Sequence, residues 1–261
     1  MTQRARHGRP APYGRRTAVL AGALGLLVLL PTDVLATVSI GSPGDDVTFG
    51  PDRDNASNTF IQPPGVSARQ HLDNTDVVFG RGGDDLVGGR TGSDVLVGGP
   101  GHDVLVGGPD VPGRPASDVA LGDTGNDVNL WGTGDASETF VGDDGQDTQI
   151  VGRLLRNGDE LRLRTYQGRK LPRVSLSTEG QSCALQVVPP AQRTGEQYLL
   201  RISARGQLSA TIRLKDVEQV VCTSPRAGHA RVADLTVPSP SFRDVPLGSL
   251  RGVVGAIVDE Y

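Results

Sequence analysis

The sequence predicts a mainly β protein: a parallel β-roll of glycine-aspartate nonapeptide repeats followed by a small antiparallel β domain. Three observations carry that prediction. Aspartates stand nine residues apart at Asp76, Asp85, Asp94 and Asp103, each just after glycines and just before a short apolar run such as Val104-Leu105-Val106. Glycine is abundant, 36 of 261 residues, while aromatics make up only 4%, which suits turns and short strands better than helices. Beyond Gly152 the glycine spacing stops and apolar and polar residues alternate with period 2.

In chain order, residues 1–36 read as an export signal. Arg4, Arg6, Arg9, Arg15 and Arg16 form a basic leader, Thr17 to Leu30 is an apolar stretch too short for a membrane span, and Val34-Leu35-Ala36 offers a cleavage site after Ala36. The expectation is a secreted or cell-surface protein, in surroundings where calcium is plentiful and thiols oxidise. The only cysteines, Cys183 and Cys222, are accordingly read as one disulfide. No later apolar run approaches the length of a transmembrane span.

Charge divides the chain where glycine does. Residues 41–152 hold 19 Asp and Glu against 5 Arg, whereas residues 153–261 hold 10 Asp and Glu against 16 Lys and Arg. Residues 37–152 and 153–261 are therefore predicted to be two domains.

The aspartate anchors continue at Asp118, Asp127, Glu138 and Asp147, and an earlier unit from Gly41 to Gly50 carries Asp46. In one unit, Gly98 to Val106, the glycines permit positive φ and a tight turn, and the three residues after Asp103 make a strand too short to stand alone. Stacked copies form a parallel ladder with the middle residue pointing inward: Val87, Leu96, Leu105, Ala120, Asn129 or Leu130, then Phe140 and Ile150 or a residue beside it. If two units make one coil, Asp85 faces Asp103 and Asp76 faces Asp94 across ~4.8 Å. Bare carboxylates at that spacing repel by ~3–4 kcal/mol at an effective dielectric of ~20. A divalent cation between rungs reverses the sign. Carboxylate and carbonyl oxygens alone select Ca²⁺ over Mg²⁺, which keeps its waters, and over zinc, which prefers nitrogen and sulfur. The expected ligands are Asp76, Asp85, Asp94, Asp103, Asp118, Asp127 and Asp147, with turn glycines such as Gly83, Gly92 and Gly101 lending carbonyls. The insertion from Asp110 to Ser117 is expected to break the register between Asp94 and Asp118. Glu138 and Asn55 mark outer rungs expected to bind nothing.

These units also resemble a known family. "GGPGHDVLV" (Gly98 to Val106) matches the nonapeptide of the RTX, or hemolysin-type, calcium-binding proteins at every defining position. "GRTGSDVLV" and "GRGGDDLVG" carry Arg90 and Arg81 at the second glycine, and "GDTGNDVNL" and "GDDGQDTQI" carry Asp123 and Asp143 there. The resemblance covers residues 41–152 and implies a β-roll whose turns hold Ca²⁺ in rows. Export through an uncleaved C-terminal signal and toxin activity do not transfer, since the leader is N-terminal and no pore-forming apolar segment is present.

In the second half, Asp159 to Tyr166, Ser182 to Val188 and a hairpin turning at Arg205-Gly206 read as strands of a sandwich with one wet face and no helix. The tail from Val245 to Tyr261 reads as a last strand or as a cover for the open end of the roll. No zinc-protease helix or nucleophile elbow is present, and His71, His102 and His229 stand without a spaced partner. The chain is thus expected not to be an enzyme. A polysaccharide-acting hydrolase or lyase using the roll as scaffold is the alternative. Arg162, Arg164, Arg169, Lys170 and Arg173 offer a basic patch for an anionic cell-wall polymer or for the acidic roll itself. Nucleic acid is not an expected partner.

Overall fold

The structure, a computed structural model, describes residues 37–49, 76–109, 116–158, 160–177 and 181–259. The proposed export signal, Asn55 and His71 lie outside them. The described residues all belong to one compact unit spanning residues 35–261.

The nine-residue period becomes alternating rungs of two sheets. Strands β1 (Thr37–Ile40), β3 (Asp76–Phe79), β5 (Val95–Val97), β7 (Val119–Gly125) and β9 (Glu138–Gly145) lie side by side in parallel. Strands β2 (Val47–Phe49), β4 (Leu86–Gly88), β6 (Val104–Val106), β8 (Val128–Gly132) and β10 (Thr148–Leu154) form the second parallel ladder. Val77 pairs with Val95 and Leu86 with Val104, so one coil takes two nonapeptides. The expected break between Asp94 and Asp118 does not occur. Val95 pairs with Val119, so the strands on either side of the insertion keep their register.

Between the sheets the inward side chains include Val78, Val87, Leu96, Leu105, Ala120, Trp131, Phe140 and Val151. On β8 the inward residue is Asn129, which pairs with Leu105, and on β10 it is Gln149, the residue beside Ile150. Asn129 Nδ2 donates to Glu138 Oε1 at 2.7 Å and to Gln149 Oε1 at 2.8 Å. A polar layer thus sits inside the roll, its Asn129 amide donors partnered and Asn129 Oδ1 without a hydrogen-bond partner among the described residues. Leu130 and Ile150 turn outward instead, into a second apolar cluster.

The predicted boundary at residue 152 falls within β10, and both sheets run across it. After two short hairpins, β11 (Arg156–Asn157) with β12 (Glu160–Leu161) and β13 (Leu163–Tyr166) with β14 (Arg169–Pro172), strand β15 (Val174–Ser175) pairs with the end of β10. Then β16 (Gln181–Val187), β17 (Tyr198–Ala204) and β18 (Gln207–Lys215) extend the first sheet, with β18 parallel to β9. Strands β19 (Gln219–Thr223), β20 (His229–Asp234) and β21 (Arg243–Pro246) extend the second, with β19 parallel to β10. The antiparallel strands are therefore the continuation of the roll, with the alternation the sequence predicted. The hairpin turns at Arg205-Gly206, where both residues have positive φ (52° and 80°), as a two-residue I′ turn requires. The Cys183–Cys222 disulfide joins β16 of one sheet to β19 of the other within the shared core.

The tail ends in a helix that alternation did not predict, α1 (Gly252–Ile257), followed by β22 (Val258–Asp259) beside β15. It does not close the end of the roll. Ala256, Ile257 and Val258 join Leu171 and Val174 over the outer face of the second sheet, burying Leu86, Val104, Val106, Val128, Leu130 and Ile150. Burying both faces of those strands explains their unbroken apolar runs. The outward residues of the first sheet, such as Val95 and Val97, are only half-buried.

The turns repay a close look at two glycine positions. The first glycine of each unit lies over its own aspartate: a Cβ on Gly80 would come within 2.6 Å of Asp85 Oδ2, and one on Gly98 would overlap Asp103 Oδ2. The second position adopts positive φ even where it is not glycine, at Arg81 (89°), Arg90 (78°), Asp123 (80°) and Asp143 (73°). That conformation costs an L-residue about 1–2 kcal/mol, less whatever glycine would lose in unfolded-state entropy. Replacing Arg81 by Gly is accordingly expected to stabilise the protein by about 0.5–1 kcal/mol, read as a rise of a few degrees in Tm.

Candidate metal centre

The turns stack into two columns. The first runs through Asp46, Asp85, Asp103, Asp127 and Asp147. Each aspartate's Oδ1 accepts the backbone N–H of the one before it: Asp46 to Asp85 at 2.6 Å, Asp85 to Asp103 at 2.7 Å, and Asp103 to Asp127 and Asp127 to Asp147 at 2.8 Å. The column ends at Glu218, whose Oε2 accepts the Asp147 N–H at 2.7 Å. The second column runs through Asp76, Asp94 and Asp118, with Oδ1 of Asp94 and of Asp118 each accepting the preceding N–H at 2.8 Å. All seven aspartates expected as ligands are buried.

Oδ1 is thus spoken for, and Oδ2 decides the chemistry. In Asp85, Asp103, Asp127 and Asp147 this atom is buried and has no hydrogen-bond partner among the described residues. A buried carboxylate oxygen without a partner is costly, and desolvation is the leading cause of the raised pKa of each. Burial pushes Asp103 up to about 8 and Asp127 and Asp147 up to about 7, and raises Asp85. Neighbouring acids add to the rise: Asp127 and Asp85 act on Asp103, and Glu218, Asp143 and Asp144 act on Asp147. Each gap in the column needs either protons or a cation.

The donors present fit a hard cation. Adjacent rungs offer carboxylates, and the fourth-position glycines Gly83, Gly92 and Gly101 turn at positive φ (112°, 131° and 153°). The Gly83 carbonyl oxygen faces Gly101, and the Gly101 oxygen faces Gly125. Among the described residues no three His, Cys, Asp or Glu side chains gather as a ready cage. A metal here would combine two carboxylates from adjacent rungs with backbone carbonyls.

Glu138 ends the second column differently. Its carboxyl turns inward to Asn129 and Gln149, and full burial raises its pKa well above the ordinary range.

Two features were missed in the sequence. Glu218 closes the first column without a glycine turn. The only local signal is an acid directly ahead of a strand, Glu218-Gln219-Val220-Val221, as in Asp147-Thr148-Gln149-Ile150. A further ladder runs through the fifth turn position. Asp45 Oδ1 accepts the N–H of Asp84, Asp84 Oδ1 that of His102, His102 Nδ1 that of Asn126, and Asn126 Oδ1 that of Gln146, all at 2.8–2.9 Å. His102 is therefore a rung-to-rung acceptor rather than an isolated turn residue. Of the basic residues, Arg169 meets the acidic roll, one of the two partners expected for them, at Asp84 Oδ2, 3.0 Å away, and Arg164 Nη1 donates to the Ala256 carbonyl at 2.8 Å.

No family model matches the chain, nor does any curated protein or solved structure. Among the described residues no helix is long and apolar enough to cross a membrane.

Proposed function

We propose that this is an exported calcium-binding protein of the RTX, or hemolysin-type, kind, in which Ca²⁺ held between stacked turns allows the roll to fold outside the cell. The observation that carries the reading is the run of four buried Oδ2 atoms in one column, at Asp85, Asp103, Asp127 and Asp147, each lacking a hydrogen-bond partner among the described residues. Calcium neutralises them, and ligand binding to the folded state alone stabilises it by mass action. A role for the roll as a structural or cell-surface adhesive module, without catalysis, follows from a site made wholly of ladder ligands. An anionic surface polymer is the partner class that suits the positive excess of residues 153–261.

Far-UV circular dichroism of residues 37–261 during a calcium titration, with magnesium as control, tests the reading. Cooperative gain of strand signal with calcium and not with magnesium is expected. A spectrum already folded in chelator and unchanged by calcium would leave the aspartates as turn caps and sink the calcium function.

A further inference from the structure

One cation of the chain is built in beside the first column. The β13–β14 hairpin folds back so that Arg169, only 8% exposed, reaches the turns of two consecutive rungs. Its Nη1 lies 3.0 Å from Asp84 Oδ2, and its Nη2 donates to the His102 carbonyl oxygen. Asp84 and His102 directly precede the ladder aspartates Asp85 and Asp103 and are themselves linked, the His102 N–H donating to Asp84 Oδ1 at 2.8 Å. The guanidinium thus takes one carboxylate and one turn carbonyl, the two kinds of oxygen that a metal in this gap would use.

We propose that Arg169 is a tethered counter-ion that stands at the gap between the Asp85 and Asp103 rungs, excludes calcium from it, and leaves the metal in this column to the other gaps. The inference rests on the calcium reading above. A guanidinium fixed by a carboxylate and a carbonyl directly before Asp85 and Asp103 repels a divalent ion at the same gap. Because Asp84 and His102 come together only when their rungs stack, Arg169 also makes docking of the C-terminal half conditional on a formed roll.

The test counts ions. Calcium chloride is titrated calorimetrically into the full chain as wild type, Arg169→Gln and Arg169→Lys. Arg169→Gln is expected to bind one more ion per chain than wild type, and Arg169→Lys, which keeps the charge, the wild-type number. Equal counts in wild type and Arg169→Gln overturn the proposal and leave the calcium reading standing, as does an added ion in Arg169→Lys. A wild type that binds no calcium overturns both. Should Arg169→Gln not fold, amide hydrogen exchange of residues 163–172 in the wild type decides. Protection that holds at saturating calcium supports the tethered cation, and protection lost on adding calcium means that the metal displaces Arg169 and the proposal fails.

Discussion

Gly145→Ala and Gly125→Ala are expected to abolish cooperative folding, whereas Gly206→Ala is expected to cost only about 1–2 kcal/mol. All three glycines have positive φ: 154°, 139° and 80°. Backbone preference alone would therefore rank them together. Space separates them. A Cβ on Gly145 would overlap the carbonyl oxygen of Gly125, and one on Gly125 that of Gly101, at covalent-bond distance, while nothing lies within 4 Å of a Cβ on Gly206. Backbone cannot rotate aside as a side chain can, so relief requires neighbouring rungs to separate. That separation breaks the backbone bonds of the turn and the aspartate ladder with it. Urea unfolding followed by tryptophan fluorescence reads the outcome, since Trp131 is buried in the shared core. A Gly145→Ala protein with a wild-type midpoint would mean that the rungs stand further apart than described.

The same crowding explains why the roll was legible in the sequence. A constraint met at every rung writes itself at a fixed interval: glycine where a carboxylate folds over the turn, glycine again where carbonyls meet, aspartate where an N–H needs an acceptor. The register beyond the insertion was misjudged because an added segment costs little when its ends stay close, and Val95 still finds Val119. Gln149 was less legible, for another reason. In Thr148-Gln149-Ile150-Val151 local preference points Ile150 inward, and only Asn129 and Glu138 on neighbouring strands make the polar choice workable. Val95-Leu96-Val97 and Val104-Leu105-Val106 are identical, yet only the second has both faces fully buried. What covers Val104 and Val106 is a tail about 150 residues further along, and no local pattern encodes that. Glu218 and Arg169 belong to the same class, since each acts at a place the repeat period does not reach.

Acidification is expected to stabilise the calcium-free protein between about pH 8 and pH 4, opposite to the usual behaviour of carboxylates. Asp103 in the fold is pushed up to about 8, and Asp127 and Asp147 to about 7, against an ordinary value of 3.8. Between these limits the folded state holds protons that the unfolded state has released. Stability therefore falls as pH rises through the window, by up to about 1.4 kcal/mol per pH unit for each such aspartate, and is lowest above the folded values. On the calcium reading, the metal is expected to reverse the slope, because it requires the ionised carboxylates and protons compete with it. Two Tm curves, one calcium-stripped and one at saturating calcium, should thus converge toward low pH and diverge toward pH 8. Asp103→Asn sharpens the distinction: its amide oxygen can still accept the Asp85 N–H, but no charge is buried. In stripped protein at pH 8 it should raise Tm, while in calcium it should lower the gain the metal brings. A stripped wild type that instead loses stability from pH 8 to pH 5 would mean that these carboxylates are already ionised and compensated by the chain itself, leaving the metal no work to do. The sign of one slope therefore separates a roll waiting for a cation from one complete without it.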